Sequence, residues 1–116
     1  MALKPHYINI HEKWGNVGIT VYTTAPDKET AKKISKGSVE NGLAACCNFW
    51  PVETVYKWEN KLKEGDEYII FLKTTKKKYK ALEKWICEEH PYSMPAIVAI
   101  PWEDSYGPYR KWVEEI

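Results

Sequence analysis

The chain has 116 residues, which fits one domain built around one hydrophobic core. Its 17 lysine and arginine residues nearly balance its 16 aspartate and glutamate residues, and this formal net charge of +1 argues against a nucleic-acid partner. Since no apolar stretch approaches the length of a membrane span, we expect no membrane partner either.

The first strand and the first helix are predicted from the pattern of residues 18–43. Residues 18–24 are β-branched and aromatic, which is typical of a strand. Thr24 or Ala25 is then a suitable N-cap for a helix that ends at Asn41 and Gly42.

Residues 43–75 predict two strands that form a long hairpin. The first covers residues 43–58, and its Pro51, which cannot donate a hydrogen bond, indicates an edge strand or a bulge. We expect residues 58–67 to reverse the chain, with Asn60 tolerating left-handed backbone geometry, and residues 67–75 to form the return strand.

The remaining residues predict a helix, a strand and a final helix. The second helix runs from about residue 75 to His90, where Pro91 stops it. Residues 96–100 form the last strand, and Pro108 opens a C-terminal helix. The order β-α-β-β-α-β predicts an α+β, ferredoxin-like domain with an antiparallel sheet, helices on one face and one more helix at the end. This domain covers residues 17–116, preceded by an N-terminal arm or short extra strand over residues 1–16.

The cysteines and the opening residues predict the compartment. Three cysteines, two of them adjacent, are a poor basis for a disulfide framework and indicate a reducing environment. The opening residues lack the apolar core of a signal peptide, so we expect a cytoplasmic protein. Consecutive strand residues face opposite ways, so we interpret Cys46 and Cys47 as packing residues on opposite faces.

Cys87 and His90 are the candidate metal ligands. They lie three residues apart at a helix end, and a thiolate with an imidazole suits zinc or copper. Two ligands are fewer than a dedicated site needs, so we expect weak binding and no obligatory cofactor. The alternative is that His90 only ends the helix and caps its carbonyl groups. No nucleophile motif such as G-x-S-x-G is present, and we expect no enzymatic activity.

Five segments within about residues 17–116 form a recognisable set: VYTTAPD, GLAACCN, VYKWENKLKEGDEYIIFLKTT, HPYSMPAIVAIP and YRKWV. Together they resemble the CutA family of divalent-cation tolerance proteins. The resemblance implies a homotrimer whose long β-arms pair across subunits, and a role in tolerance of, or response to, divalent metals of the copper type. The arm residues would be Val52, Tyr56, Trp58 and Tyr68.

The resemblance also implies a likeness to the PII signalling proteins, which place ligands between subunits. The alternative function is therefore a regulatory trimer that binds a small molecule, with an anion held by Lys73 and Arg110. The candidate cleft residues are Trp58, Glu59, Lys73, Tyr92 and Tyr109. Packing in the trimer is the competing interpretation of these aromatic side chains.

The sequence departs from the family pattern near the candidate metal residues. Ser93 and Ala96 stand where relatives often have carboxylates, and Glu89 and Thr23 stand where some bacterial members have a histidine and a cysteine. Of a metal site carried over from those members, only His90 remains.

Overall fold

The computed structural model describes residues 18–116 and contains the predicted order of strands and helices. The N-terminal arm predicted for residues 1–16 lies outside this range. No helix in the described part of the chain is both long enough and apolar enough to cross a membrane. The elements are β1 (Gly18–Ala25), α1 (Lys28–Glu40), β2 (Cys46–Trp58), β3 (Lys61–Thr75), a 3-10 turn (Lys76–Lys78), α2 (Tyr79–Glu89), β4 (Ile97–Pro101) and α3 (Gly107–Glu114).

The four strands form one antiparallel sheet in the order β2-β3-β1-β4. Helices α1 and α2 cover one face, which we call the covered face. Their apolar side chains join alternate residues of β1 and β3 in one buried core, because neighbouring strand residues point to opposite faces. The core residues are Ile19, Val21, Ala25, Ala31, Ile34, Ala44, Ile70, Leu72, Leu82 and Ile86.

Helix α3 lies against the opposite face, which we call the open face. Trp102 precedes this helix, and its indole Nε1 donates a hydrogen bond of 2.7 Å to the hydroxyl of Thr20 on the open face of β1. Val113 is the buried residue of α3. The C-terminal helix therefore covers part of the second face of the sheet.

Helix α1 begins at a different residue from the one predicted. The N-cap is Asp27, whose Oδ1 accepts a hydrogen bond of 2.8 Å from the Thr30 amide. Thr24 and Ala25, the predicted caps, still belong to β1. The helix ends as predicted, at Asn41, and Gly42 follows with φ 68°.

The hairpin of β2 and β3 is longer than predicted. Its turn consists of Glu59 and Asn60, both with positive φ, at 51° and 63°. The prediction that residues 58–67 form the reversal was wrong, because β3 already begins at Lys61. The charged residues 61–66 have the composition of a loop, but strand pairing outside the core does not require apolar side chains.

Pro51 lies on the outer strand β2, opposite Tyr68, and the pairing register continues through it without a bulge. The edge interpretation is therefore the correct one. The hairpin end projects from the domain, so the radius of gyration is 16.6 Å. A compact chain of similar length has a value of about 13 Å.

Candidate functional site

His90 is held at the end of α2 by both nitrogens of its ring. His90 is 8% exposed, and its Nε2 lies 2.6 Å from the Thr24 carbonyl oxygen, to which it donates. The amide of Tyr92 donates to Nδ1 at 3.1 Å. A ring that donates at one nitrogen and accepts at the other is the neutral tautomer with its proton on Nε2. His90 thus ties the loop after α2 to the end of β1.

Cys87, the other predicted metal ligand, is exposed on α2. Among residues 18–116, no three histidine, cysteine, aspartate or glutamate side chains come together as a metal-binding group. A metal ion at His90 must displace one of its two hydrogen bonds. The Cys87–His90 metal pair remains a prediction.

The residues that depart from the family pattern lie in different environments. Glu89 forms an ion pair of 3.3 Å with Lys33, so its carboxylate is engaged at the surface. Thr23 is buried on the covered face, and its hydroxyl has no hydrogen-bond partner among the described residues. Ser93 and Ala96 line the pocket described next.

A cavity of about 460 Å³ lies on the open face, between β1, the hairpin and the loop after α2. We call it the aromatic pocket. It is lined by Tyr22, Thr24, Thr54, Tyr56, Trp58, Glu67, Tyr92, Ser93, Met94 and Ala96. The β2 residues of this lining alternate along the strand, which places them on one face. The pocket is therefore a consequence of strand periodicity on the side that α1 and α2 leave uncovered.

Tyr92 and Glu67 form a polar contact at the aromatic pocket. The Tyr92 hydroxyl donates to Glu67 Oε2 at 3.2 Å, and the Tyr92 ring packs on the His90 ring with centroids 4.7 Å apart. Partial burial, together with the nearby Glu67 carboxylate, raises the pKa of the Tyr92 phenol. The phenol therefore stays protonated and able to donate near neutral pH.

The predicted cleft residues fall into separate places. Trp58 and Tyr92 meet in the aromatic pocket, whereas Glu59 lies in the hairpin turn. Lys73 is opposite Cys46 in the sheet, and Tyr109 lies beside Cys46. The structure thus brings together two of the five residues in one pocket and places two others near Cys46.

Tyr109 is the centre of an aromatic stack on the open face. Its ring lies 5.8 Å from the ring of Trp102 and 5.8 Å from the ring of Trp112, with interplanar angles of 27° and 29°. Partial burial is the larger cause, and the contact with Cys46 the smaller one, of a raised pKa of the Tyr109 phenol. Arg110, the predicted anion-binding residue beside it, forms an ion pair of 3.2 Å with Glu114.

Cys46 and Cys47 face opposite sides of β2, as predicted. The Cys47 thiol points toward α1 and lies 3.8 Å from the Ser35 carbonyl oxygen. Burial raises its pKa to about 12, so this thiol is not ionised near neutral pH. All three cysteines are free.

The predicted arm residues lie on both faces of the hairpin. Val52, Tyr56 and Trp58 occupy alternate positions of β2 on the open face. Tyr68 lies on the covered face and packs against Phe49, with ring centroids 6.5 Å apart. Sequence reasoning missed Tyr22 and Met94 in the aromatic pocket. The alternation of Tyr22 with the core residues of β1 indicates that it lies on the open face, but this pattern does not indicate a cavity.

A four-stranded antiparallel sheet with this connectivity, two helices on one face and a projecting hairpin, defines a ferredoxin-like α+β protein. The family model of the CutA1 divalent ion tolerance protein matches residues 19–116. The chain belongs to this family.

Relatives of known sequence and structure share most of the described domain. The divalent-cation tolerance protein CutA of Pyrococcus horikoshii is 40% identical over 97 residues, covering 84% of this chain and 95% of the relative. A CutA homologue of Xenopus laevis is 38% identical over 96 residues. The match covers 82% of this chain but 64% of the frog protein, so the chain spans less than two thirds of that relative. The solved structure of the periplasmic divalent cation tolerance protein CutA of Archaeoglobus fulgidus is 33% identical, with a TM-score of 0.83 over 84% of this chain and 96% of that chain.

Proposed function

We propose that this protein is a non-enzymatic, cytoplasmic homotrimer that acts in divalent-metal tolerance or response, of the copper type, and binds metal ions weakly. Membership of the CutA1 divalent ion tolerance family carries the proposal, since the match covers almost all of the described domain.

The projecting hairpin supports self-association. Val55 and Leu62, near its end, are 63% and 67% exposed, and within residues 18–116 no strand pairs with the outer edge of β2. Exposed strand edges with apolar side chains are surfaces that natural proteins cover. Pairing of each hairpin with a neighbouring copy satisfies the backbone groups and buries both side chains.

Sedimentation equilibrium tests the assembly. We expect a trimer at micromolar concentration, and dissociation in the double variant Val55→Lys with Leu62→Lys, because two added charges at the hairpin end oppose burial. Val39→Lys on α1 is the matched control, since Val39 is also exposed but lies away from the hairpin. A stable single-copy species of the unchanged protein at micromolar concentration contradicts the proposal.

We assign metal binding to Cys87 and His90, with a third ligand supplied by Glu83, Glu89 or another subunit. The exposed thiol of Cys87 is accessible to an ion, whereas His90 must exchange one hydrogen bond for a metal bond. This exchange should lower the affinity, which supports the weak binding proposed. Affinity should also fall as pH drops, because the imidazole and the thiolate must both be deprotonated to bind.

Titration calorimetry near neutral pH tests this assignment. Zn²⁺ is titrated with a phosphine reductant present, and Cu²⁺ is titrated without reductant. We expect weaker binding in Cys87→Ser and in His90→Ala, each measured at a temperature where circular dichroism shows a folded protein. Unchanged affinity for both ions in both variants removes these residues as ligands.

The second candidate is a PII-like regulatory trimer that binds a small anion between subunits. Lys73 and Tyr109, which both lie near Cys46, favour this function, with Arg110 on the same helix as Tyr109. A thermal-shift screen of nucleotides and carboxylates tests it. Stabilisation by an anion that is lost in Lys73→Gln supports the candidate, and stabilisation by metal ions alone refutes it.

A further inference from the structure

One side of α2 carries three side chains that can bind a metal ion. Glu83, Cys87 and His90 follow the spacing i, i+4 and i+7, which brings side chains to the same side of a helix. Glu83 is partly exposed and Cys87 is exposed, whereas the ring of His90 is turned inward to the Thr24 carbonyl. Glu83 and Cys87 are therefore the accessible pair. They belong to neither the open face nor the hairpin that the proposed self-association covers.

The other acidic side chains near Cys87 point elsewhere. Glu88 and Glu89 lie one and two residues from Cys87, and residues at these spacings do not face each other on a helix. The Glu89 carboxylate lies 3.3 Å from the Lys33 ammonium, on the side of α2 that faces α1. Among the acidic residues of this helix, Glu83 is therefore the one that shares a side with Cys87.

The Glu83 carboxylate has one contact at each oxygen. The Tyr79 hydroxyl donates to Oε2 at 2.8 Å, and the Lys80 ammonium lies 3.6 Å from Oε1. The Tyr79 ring packs against the core, whereas the Lys80 side chain is 86% exposed, and exposed ion pairs contribute little. Burial and the Glu83 carboxylate raise the pKa of the Tyr79 phenol to about 12, and the Cys87 thiol adds a smaller part, so the thiol lies near this contact. Tyr79 thus fixes one carboxylate oxygen, and a divalent ion can displace Lys80 from the other.

We propose that Glu83 is a ligand of the Cys87 metal site. The inference rests on the metal binding proposed above and names the third ligand of that site. A divalent ion of the zinc type accepts a thiolate together with a carboxylate oxygen, and Cβ atoms about 5–6 Å apart at i and i+4 allow one ion to contact both side chains. The ion takes Oε1 in place of Lys80, while Tyr79 stays on Oε2 as the positioning residue that orients the carboxylate. His90 joins the site only when it gives up a hydrogen bond, so the ion binds first to the surface pair.

Titration calorimetry of the full chain with Zn²⁺, in a phosphine reductant at constant ionic strength, tests Glu83 as a ligand. Glu83→Gln should weaken Zn²⁺ binding at least about threefold, because it removes the negative charge and the preferred oxygen ligand. Lys80→Gln should strengthen binding about two- to threefold, since the competing cation is absent. Lys111→Gln is the matched control. It removes the same charge from an exposed lysine of α3, on the opposite face of the sheet, and should leave the affinity unchanged.

The variant Tyr79→Phe tests the positioning role, because it keeps the ring and removes only the hydroxyl. It should weaken Zn²⁺ binding by about twofold or more. In a Glu83→Gln background, neither Tyr79→Phe nor Lys80→Gln should change the affinity further, since both act through the carboxylate. Damage to the fold would lower the affinity equally in both backgrounds. With Co²⁺ as the probe, the near-ultraviolet absorption of the thiolate–metal bond should persist in Tyr79→Phe and disappear in Cys87→Ser.

The outcomes separate this inference from the proposed function. If Cys87→Ser and His90→Ala weaken Zn²⁺ binding but Glu83→Gln does not, the metal site stands and the inference is overturned. Weaker binding in Lys80→Gln, or an equal effect of Tyr79→Phe with and without Glu83, also overturns it. Unchanged affinity in Cys87→Ser overturns both the inference and the earlier ligand assignment. Unchanged affinity in His90→Ala alone, with weaker binding in Glu83→Gln, removes His90 as a ligand and supports the surface pair.

Discussion

The double hydrogen bonding of His90 makes a quantitative prediction for His90→Ala. The substitution leaves the buried Thr24 carbonyl without the ring donor at 2.6 Å, and the Tyr92 amide without the acceptor at 3.1 Å. An unsatisfied buried polar group costs about 1–3 kcal/mol, and a typical net hydrogen bond contributes about 0.5–1.5 kcal/mol. We therefore expect the free energy of unfolding to fall by about 2–4 kcal/mol.

Denaturant unfolding at a fixed protein concentration measures this loss, since the stability of an oligomer depends on concentration. Faster hydrogen exchange of the Tyr92 amide should accompany it, because this amide loses its acceptor. Cys87→Ala is the control. Cys87 is exposed on the same helix, so its removal should change the free energy of unfolding by no more than about 0.5 kcal/mol.

The variant His90→Gln separates the contribution of the hydrogen bonds to stability from the contribution of the imidazole to metal binding. A glutamine amide can donate to the Thr24 carbonyl, so this variant should recover part of the stability that His90→Ala loses. It offers no imidazole to a metal ion. If His90→Ala unfolds at the same denaturant concentration as the unchanged protein, the two hydrogen bonds do not stabilise the fold, and the reasoning is refuted.

Three further predictions concern other parts of the domain. Gly37→Ala should lower the free energy of unfolding by about 1–3 kcal/mol, although alanine favours helix, because its Cβ would overlap the Trp85 ring. Denaturant unfolding measures this loss, and the substitution Trp85→Phe should reduce it. An unchanged free energy of unfolding, or a loss that Trp85→Phe does not reduce, contradicts the prediction. The hydrogen bond at the α1 N-cap lowers the pKa of Asp27 below 3.8, so its stabilisation is present above this pH and is lost as pH falls through the lower folded-state pKa. Asp27→Asn should remove this part of the pH dependence in acid unfolding, and an unaltered pH profile would refute the assignment. With a thiol-reactive dye at neutral pH, exposed Cys87 should react first and Cys47 last, because burial raises the Cys47 pKa to about 12. A fast reaction of Cys47 in a Cys87→Ser variant would contradict its burial.

The order of elements could be predicted from the sequence because the apolar residues recur with the period of a strand or of a helix. β1 alternates between core and open face, and α1 has its apolar residues on one side. The hairpin could not be delimited in the same way. Residues 61–66 have no apolar face, since they lie beyond the core, and only pairing with β2 gives them strand geometry. Local composition therefore predicted a loop where a partner strand decides the structure.

The site was less predictable than the fold. The helix end at His90 followed from Pro91, but the partner of its Nε2 is 66 residues away in the chain, and spacing carries no signal for such a contact. Trp58 and Tyr92 were predicted for a cleft between subunits, and both line the aromatic pocket of the single chain. Lys73 was expected in the same cleft, but the register of β2 and β3 places it opposite Cys46, at the far end of the hairpin from Trp58.

The contacts of His90 extend to the aromatic pocket through Tyr92. The His90 ring accepts from the Tyr92 amide and packs against the Tyr92 ring, and the Tyr92 hydroxyl in turn donates to Glu67. A change that releases His90 from Tyr92 should therefore also loosen the contact between Tyr92 and Glu67. If a metal ion takes Nδ1 of His90, it removes the acceptor of the Tyr92 amide, so metal binding and the contact between Tyr92 and Glu67 should oppose each other. By thermodynamic linkage this opposition is reciprocal, and the intact contact should weaken metal binding at Nδ1 by the same factor by which bound metal weakens the contact.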